Sequence, residues 1–230
     1  MIGLLNAYLF DAQAEYQLKY GAMFEAAIRS GLKTDQVKSY KVALGELPKS
    51  PTECDLWVIS GSAKSSYDRE AWIQELKDFV VKCDKSKAQM IGLCFGHQLI
   101  ADALGGKVEK SDKGWGIGVR SVEVLKDKTW MMPKSKVLNL IFSHQDQVIE
   151  LPEEAEWIAT SDFCKYEAFM VDEHILCLQG HPEFTIEFAK DRYLDREDLI
   201  GASKVEKALE SFNTAISYDL IWSWLREFKR

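Results

Sequence analysis

A chain of 230 residues, 47% hydrophobic and 28% charged, carries enough apolar material for one globular domain over 1–230, with 185–230 as a terminal extension. Its formal net charge of −7 argues against nucleic acid or an anionic membrane as the main partner, since both need a basic surface; small molecules or proteins remain. The five cysteines (Cys54, Cys83, Cys94, Cys164, Cys177) are widely spaced without a C-x-x-C pair, which suggests neither a disulfide framework nor a zinc site and fits a reducing, cytoplasmic setting.

The apolar run 1–10 lacks a basic leader and a cleavage site, and no run reaches membrane-spanning length, so it reads as a first strand. Residues 14–30 place Tyr16, Tyr20, Met23, Phe24, Ala27 and Ile28 at steps of three and four, the spacing of a helix that Gly31 stops. A second strand is expected over 37–44 and a third over 54–60, which runs into the turn Ser60-Gly61-Ser62. Residues 70–83 read as an amphipathic helix with Trp72, Ile73, Leu76, Phe79 and Val80 on one side. The apolar Met90, Ile91 and Leu93 then form a buried strand, and 95–104 a helix closed by Gly105-Gly106. Such alternation predicts an α/β fold, a mostly parallel central sheet flanked by helices, with ligands at the carboxyl ends of strands, where Gly61 and Cys94 fall.

Beyond Gly106 short strands are expected at 119–125, 137–142, 147–150, 157–160, 168–171 and 175–179, as antiparallel hairpins added to the sheet edge. Helical spacing returns over 185–195, 203–212 and 218–228, a C-terminal helical extension. Gly114-Trp115-Gly116-Ile117-Gly118 lacks the six-residue dinucleotide fingerprint and opens no helix, so it reads as a turn. Lys64-Ser65-Ser66 lacks a P-loop context, and no ATP site is visible. Trp222 and Trp224, beside Leu220, Ile221 and Leu225, read as packing residues or a dimer contact.

Cys94 sits at the turn from strand to helix, with Gly92 and Gly96 two residues to either side. This G-x-C-x-G pattern is the cysteine form of the nucleophile elbow. The helix N-terminus points unpaired N–H groups and its positive dipole end at the sulfur, and the N–H of Phe95 is positioned to serve an oxyanion. A cysteine nucleophile needs a base, and the base an orienting acceptor. Of the four histidines, His97 lies in the elbow helix and reads as structural or as a lining residue. His174, in the polar turn 171–174, reads as solvated, and His144 follows a buried strand where it can line a site. His181 ends an apolar strand in Gly180-His181-Pro182-Glu183. An extended i, i+2 pair points both side chains the same way, so Glu183 can accept from one imidazole nitrogen while the other faces the thiol.

The segments Gly92-Leu93-Cys94-Phe95-Gly96-His97-Gln98, Gly180-His181-Pro182-Glu183 and Ser60-Gly61-Ser62 resemble the three signatures of the class I glutamine amidotransferase superfamily, over roughly 1–184. The resemblance implies the flavodoxin-like fold of that superfamily and assigns roles. Cys94 would attack a γ-carboxamide to give a γ-glutamyl thioester, and His181 would protonate the leaving amine and activate water while Glu183 orients it. Gly61 and Phe95 would form the oxyanion hole, while Gln98 and the backbone at Ser143-His144 would hold the glutamyl group. The chain departs from the pattern at Ser60-Gly61-Ser62-Ala63, where many members carry Gly-Gly-Pro. It departs again at Ser143-His144-Gln145-Asp146, where glutamine replaces the glycine of GMP synthetases. No metal or organic cofactor is required by this chemistry.

Three readings follow. In texture the chain is similar to free-standing γ-glutamyl peptidases, which implies a hydrolase of a small γ-glutamyl substrate, glutamine or a peptide. The second reading is a glutaminase subunit that passes ammonia to a separate synthase partner. The third, a thiol sensor or chaperone of the wider cysteine-elbow superfamily, is disfavoured by the downstream Gly-His-Pro-Glu.

Overall fold

The computed structural model describes residues 1–8 and 14–229, with backbone alone for 14–19. Its first half runs β1 (Ile2–Leu5), α1 (Ala14–Gly31), β2 (Val37–Tyr40), β3 (Leu56–Ile59), α2 (Ala71–Lys85), β4 (Gln89–Leu93) and α3 (Phe95–Ala103). Leu9 and Phe10 of the expected first strand lie outside the described residues. The second strand stops at Tyr40, short of the expected 44, because Val42–Leu44 wind into a 3-10 turn that Gly45 closes at φ 83°.

The second half runs β5 (Lys107–Lys110), β6 (Gly116–Val124), β7 (Val137–His144), β8 (Asp146–Glu150), β9 (Ala155–Thr160), β10 (Ala168–Val171) and β11 (Ile175–Leu178). The chain then turns helical in α4 (Ile186–Leu194), α5 (Glu197–Ile200), α6 (Ala202–Glu210) and α7 (Tyr218–Phe228). Strand β5 and the single turn α5 escape the periodicity, since β5 buries only Val108 and α5 only Ile200. The glycine-rich run expected as a turn enters β6 at Gly116, whose bare Cα accepts the Phe163 ring; a Cβ there would lie 2.4 Å from it.

Nine strands form one sheet in the order β2-β1-β3-β4-β11-β10-β9-β6-β7, and β5 pairs with β8 in a small second sheet. From β2 to β11 neighbours are parallel, and from β11 to β7 they are antiparallel. Alternation along the strands sends side chains to two cores. Leu4, Val58 and Leu93 face one, with α1, α4, α6 and α7. Leu5, Ile59 and Met90 face the other, with α2 and α3. The sheet is therefore covered on both sides, the condition under which continuous apolar strands such as Leu56–Ile59 are stable. Trp224 is buried in the first core and the Trp222 ring lies against Gly31, so both tryptophans pack as their spacing predicts.

The antiparallel half curls. Ile141 of β7, the last strand, bridges His181 just beyond β11, with the His181 N–H donating to the Ile141 carbonyl at 2.8 Å. That return brings the end of β7 to the carboxyl ends of the parallel strands.

Candidate active site

Cys94 is the single residue between β4 and α3, and it makes the turn at φ 51°, ψ −98°, a conformation that costs a non-glycine residue free energy. Glycine at both flanks is a steric requirement. A Cβ on Gly92 would lie 2.7 Å from the Gly96 carbonyl carbon, and one on Gly96 would lie 2.6 Å from the Ile59 oxygen. Backbone bonds pin the elbow on two sides, with Cys94 N–H donating to Leu178 O (2.9 Å) and Gly96 N–H to Ser60 O (3.2 Å). Phe95 N–H, in the first turn of α3, belongs to the amides that a helix leaves without an internal partner.

Beside the elbow, the Ser60 hydroxyl accepts from Ala7 N–H (2.9 Å) and donates to Gly61 O (2.8 Å), which fixes the turn after β3. Gly61 abuts the side chains of both His181 and Cys94: a Cβ on it would lie 3.1 Å from His181 Cε1 and 3.9 Å from Cys94 Cβ. The His181 ring is held from three directions. Its backbone is bridged to β7, Phe184 stacks on it at 3.8 Å with 17° between planes, and Nδ1 bonds Glu183 Oε1 at 2.7 Å. Nε2 has no hydrogen-bond partner among the described residues. Burial alone would push the imidazole down, but the Glu183 carboxylate, and after it the neighbouring Cys94, outweigh it and raise it to about 10. The carboxylate accepts from both an imidazolium N–H and the Tyr20 hydroxyl, which donates to the same Oε1 at 3.2 Å. Burial, and next the Glu183 charge, hold the Tyr20 phenol well above its ordinary range, so it remains a donor.

Cys94, Phe95, Gln98, Ser143 and His144 line one cleft, with Trp115 and Arg196 at its rim. The His144 Nδ1 meets the Asp146 carbonyl at 3.0 Å, so it carries the proton; burial lowers this imidazole to about 3 and keeps it neutral. Gln98 has its amide nitrogen committed to Asp146 O (2.8 Å) and Gln179 Oε1 (3.1 Å), which braces the β7–β8 corner. His97 is buried under α3 with its ring edge-on to Phe169 at 4.9 Å and does not line the cleft. His174, expected in solvent, is buried: its Nε2 meets Asp84 Oδ1 at 3.0 Å, because its turn folds back on α2 and is not left at a free hairpin tip.

Three contacts around the site carried no signal in the sequence. Tyr20 is an ordinary core position of a helical pattern, and only the fold sets its hydroxyl against Glu183. Asp146 is bound by Ser65 Oγ (2.5 Å) and Tyr67 Oη (3.1 Å), from a loop about 80 residues away. Arg196 stands 5.3 Å over the Trp115 ring. Among the described residues no group of His, Cys, Asp or Glu is placed to hold a metal ion, and no helix is long and apolar enough to cross a membrane.

The solved glutamine amidotransferase of Thermotoga maritima shares this fold, with a TM-score of 0.76 over 99% of this chain and 95% of that one, at 20% identity. Gamma-glutamyl peptidase 3 of Arabidopsis thaliana is 33% identical over 233 residues, covering 95% of this chain and 92% of the peptidase. One of the subunits of the glutamine-hydrolysing GMP synthase of Archaeoglobus fulgidus is 38% identical over 95 residues, 41% of this chain and 51% of that protein. A family model described as glutamine amidotransferase class-I matches residues 19–199. The chain belongs to the class-I glutamine amidotransferase family of enzymes.

Proposed function

We propose that the chain, acting as one domain with 185–230 as its helical extension, hydrolyses γ-glutamyl amide bonds through a thioester on Cys94. The observation that carries this reading is one juxtaposition. At a strained elbow, His181 stands against Gly61 and Cys94 with Nε2 unbonded and Nδ1 fixed by Glu183.

Cys94 Sγ attacks the γ-carbonyl carbon, and the carbonyl electron pair moves to oxygen, where the N–H groups of Gly61 and Phe95 receive it. Collapse breaks the C–N bond, and the amine leaves with the proton of His181. Acylation also removes the free Cys94 sulfur, whose presence beside the imidazole helps hold this proton, so His181 turns into an acid when the leaving group needs one. Neutral His181 then takes a proton from water, whose oxygen attacks the thioester and releases glutamate. Glu183, itself held by Tyr20, keeps Nδ1 protonated and Nε2 aimed at the reacting atoms. Ser143 and His144 hold the glutamyl group, and Gln98 supports that wall of the cleft.

Similarity over nearly the whole length of a γ-glutamyl peptidase supports a peptide as substrate, and five free, buried cysteines support a reaction in a reducing cytoplasm. The second reading, a glutaminase serving a separate synthase, is favoured by the GMP synthase match and by the exposed Leu194 and Leu199, close in sequence to the cleft residue Arg196. Glutamate release from free glutamine and from γ-glutamyl peptides separates the two. Peptide turnover well above glutamine is expected; turnover of glutamine alone, or none without added cell extract, would transfer the reading to a synthase subunit. Cys94→Ala and His181→Ala should each lower kcat by at least about 10³-fold in folded protein, and full activity in either would sink the mechanism.

A further inference from the structure

A second cavity, about 350 Å³, opens between β6 and α6. Its walls are apolar, from Ile117, Val119, Phe163 and Ala208, and its charge is entirely positive, from Arg120, Lys204 and Lys207. Helical spacing puts Lys204, Lys207 and Ala208 on the one face of α6 that looks at β6. In a chain of net charge −7 such a group of cations is out of keeping with the composition.

Arg120 is the most informative of the three. Its guanidinium lies 3.9 Å over the Phe163 ring, half-buried, and forms no hydrogen bond or ion pair among the described residues. The nearest acids do not neutralise it. Asp162 and Glu167 act on it only through space, and Glu167 has one oxygen bound by Ser161 Oγ at 2.5 Å and the other without a partner. A partly desolvated guanidinium facing an open cavity with its donors unused is a site for an anion, and its planar fork suits a carboxylate.

The cavity continues the catalytic cleft. Trp115 lines both, and Ile117 on the cavity wall pairs across the sheet with Ser143 in the cleft, so their side chains share a face. Arg120 follows three residues along β6, about 10 Å of strand, a span that a leaving dipeptide of about 7 Å with an arginine side chain reaching back can bridge. We infer that the β6–α6 cavity is the subsite for the amine half of a γ-glutamyl peptide, with Arg120, Lys204 and Lys207 binding its terminal carboxylate and Trp115, Ile117 and Val119 packing the side chain between. This assignment rests on Cys94 acting as the γ-glutamyl nucleophile, and it explains how one cleft distinguishes a peptide from glutamine, whose leaving group is ammonia alone.

Steady-state hydrolysis of γ-Glu-Ala-Gly and of its C-terminal amide by the full chain tests the subsite. The unsubstituted protein should show a KM for the free acid about tenfold below that for the amide. Arg120→Gln should raise the acid's KM about tenfold and leave kcat and both constants for the amide within about twofold. The pair Lys204→Gln/Lys207→Gln, whose side chains are both exposed at the cavity mouth, should shift the same KM in the same direction and keeps the test open if Arg120→Gln does not fold. Equal KM values for acid and amide in the unsubstituted protein, or variants that change both peptides alike, overturn the subsite alone. Hydrolysis of neither peptide overturns the γ-glutamyl reading and the subsite with it.

Discussion

Two buried carboxylic acids, Glu183 and Glu167, show how neighbours decide what a side chain does. Glu183 has an imidazolium and a phenol as donors, and Glu167 has only the Ser161 hydroxyl. Burial therefore dominates at Glu167 and raises it from 4.5 to about 7, against the weaker pull of Ser161 and Arg120. An acid raised on folding contributes its full stability below its unfolded pKa and loses it as pH rises through the folded one. The window here is pH 4.5 to about 7. Relative to Glu167→Gln, the unsubstituted protein should lose on the order of 1–3 kcal/mol between pH 5 and pH 8, read by urea unfolding at the two values. A difference that stays constant with pH would show Glu167 already ionised at pH 5.

At the scale of elements, the join of β4 to α3 depends on a close approach between backbones. The helix can run back over β3 only because Gly96 has no Cβ to meet the Ile59 oxygen. Neither partner in that contact is a flexible side chain, so the strain of a methyl group cannot be relieved by a rotamer change. Gly96→Ala should cost about 1–3 kcal/mol or more in denaturant unfolding and, by displacing the elbow, lower kcat more than it raises KM. Unchanged stability and kcat in the Gly96→Ala variant would mean that the helix can slide without disturbing Cys94. On the opposite face, α4 begins where Thr185 Oγ1 accepts from Phe188 N–H at 3.1 Å, two residues after Glu183. The segment His181–Glu183 is thus held between a sheet bridge and a capped helix.

For the whole molecule, α7 acts as a clasp. Trp224 is buried and donates to Pro133 O at 2.8 Å, Arg226 donates to Gly31 O at 2.7 Å, and Gln89 donates to Phe228 O at 3.0 Å. These bonds tie the chain's last helix to the loop after β6, to the end of α1 and to the start of β4. None of these groups lines the cleft. Trp224→Ala should therefore destabilise by about 3–5 kcal/mol with kcat and KM of the folded fraction unchanged; a loss of kcat without a loss of stability would place α7 in the reaction cycle.

The residues proposed to react could be picked out in the sequence because each is specified locally. An elbow needs glycine two residues before and after its cysteine, and an extended His-Pro-Glu aims two side chains the same way, so Cys94, His181 and Glu183 announce themselves through covalent geometry and spacing. The parallel half of the sheet was equally legible, since apolar strands and amphipathic helices alternate at their own periods from Ile2 to Ala103. The tertiary structure alone decided that β7 returns to His181, that Tyr20 gives Glu183 a second donor, that His174 is buried on Asp84, and that Trp115 is shared by two adjoining cavities. Each of those depends on contacts between residues far apart in the chain, and a local pattern holds no information about which distant surfaces the burial of apolar faces will bring together.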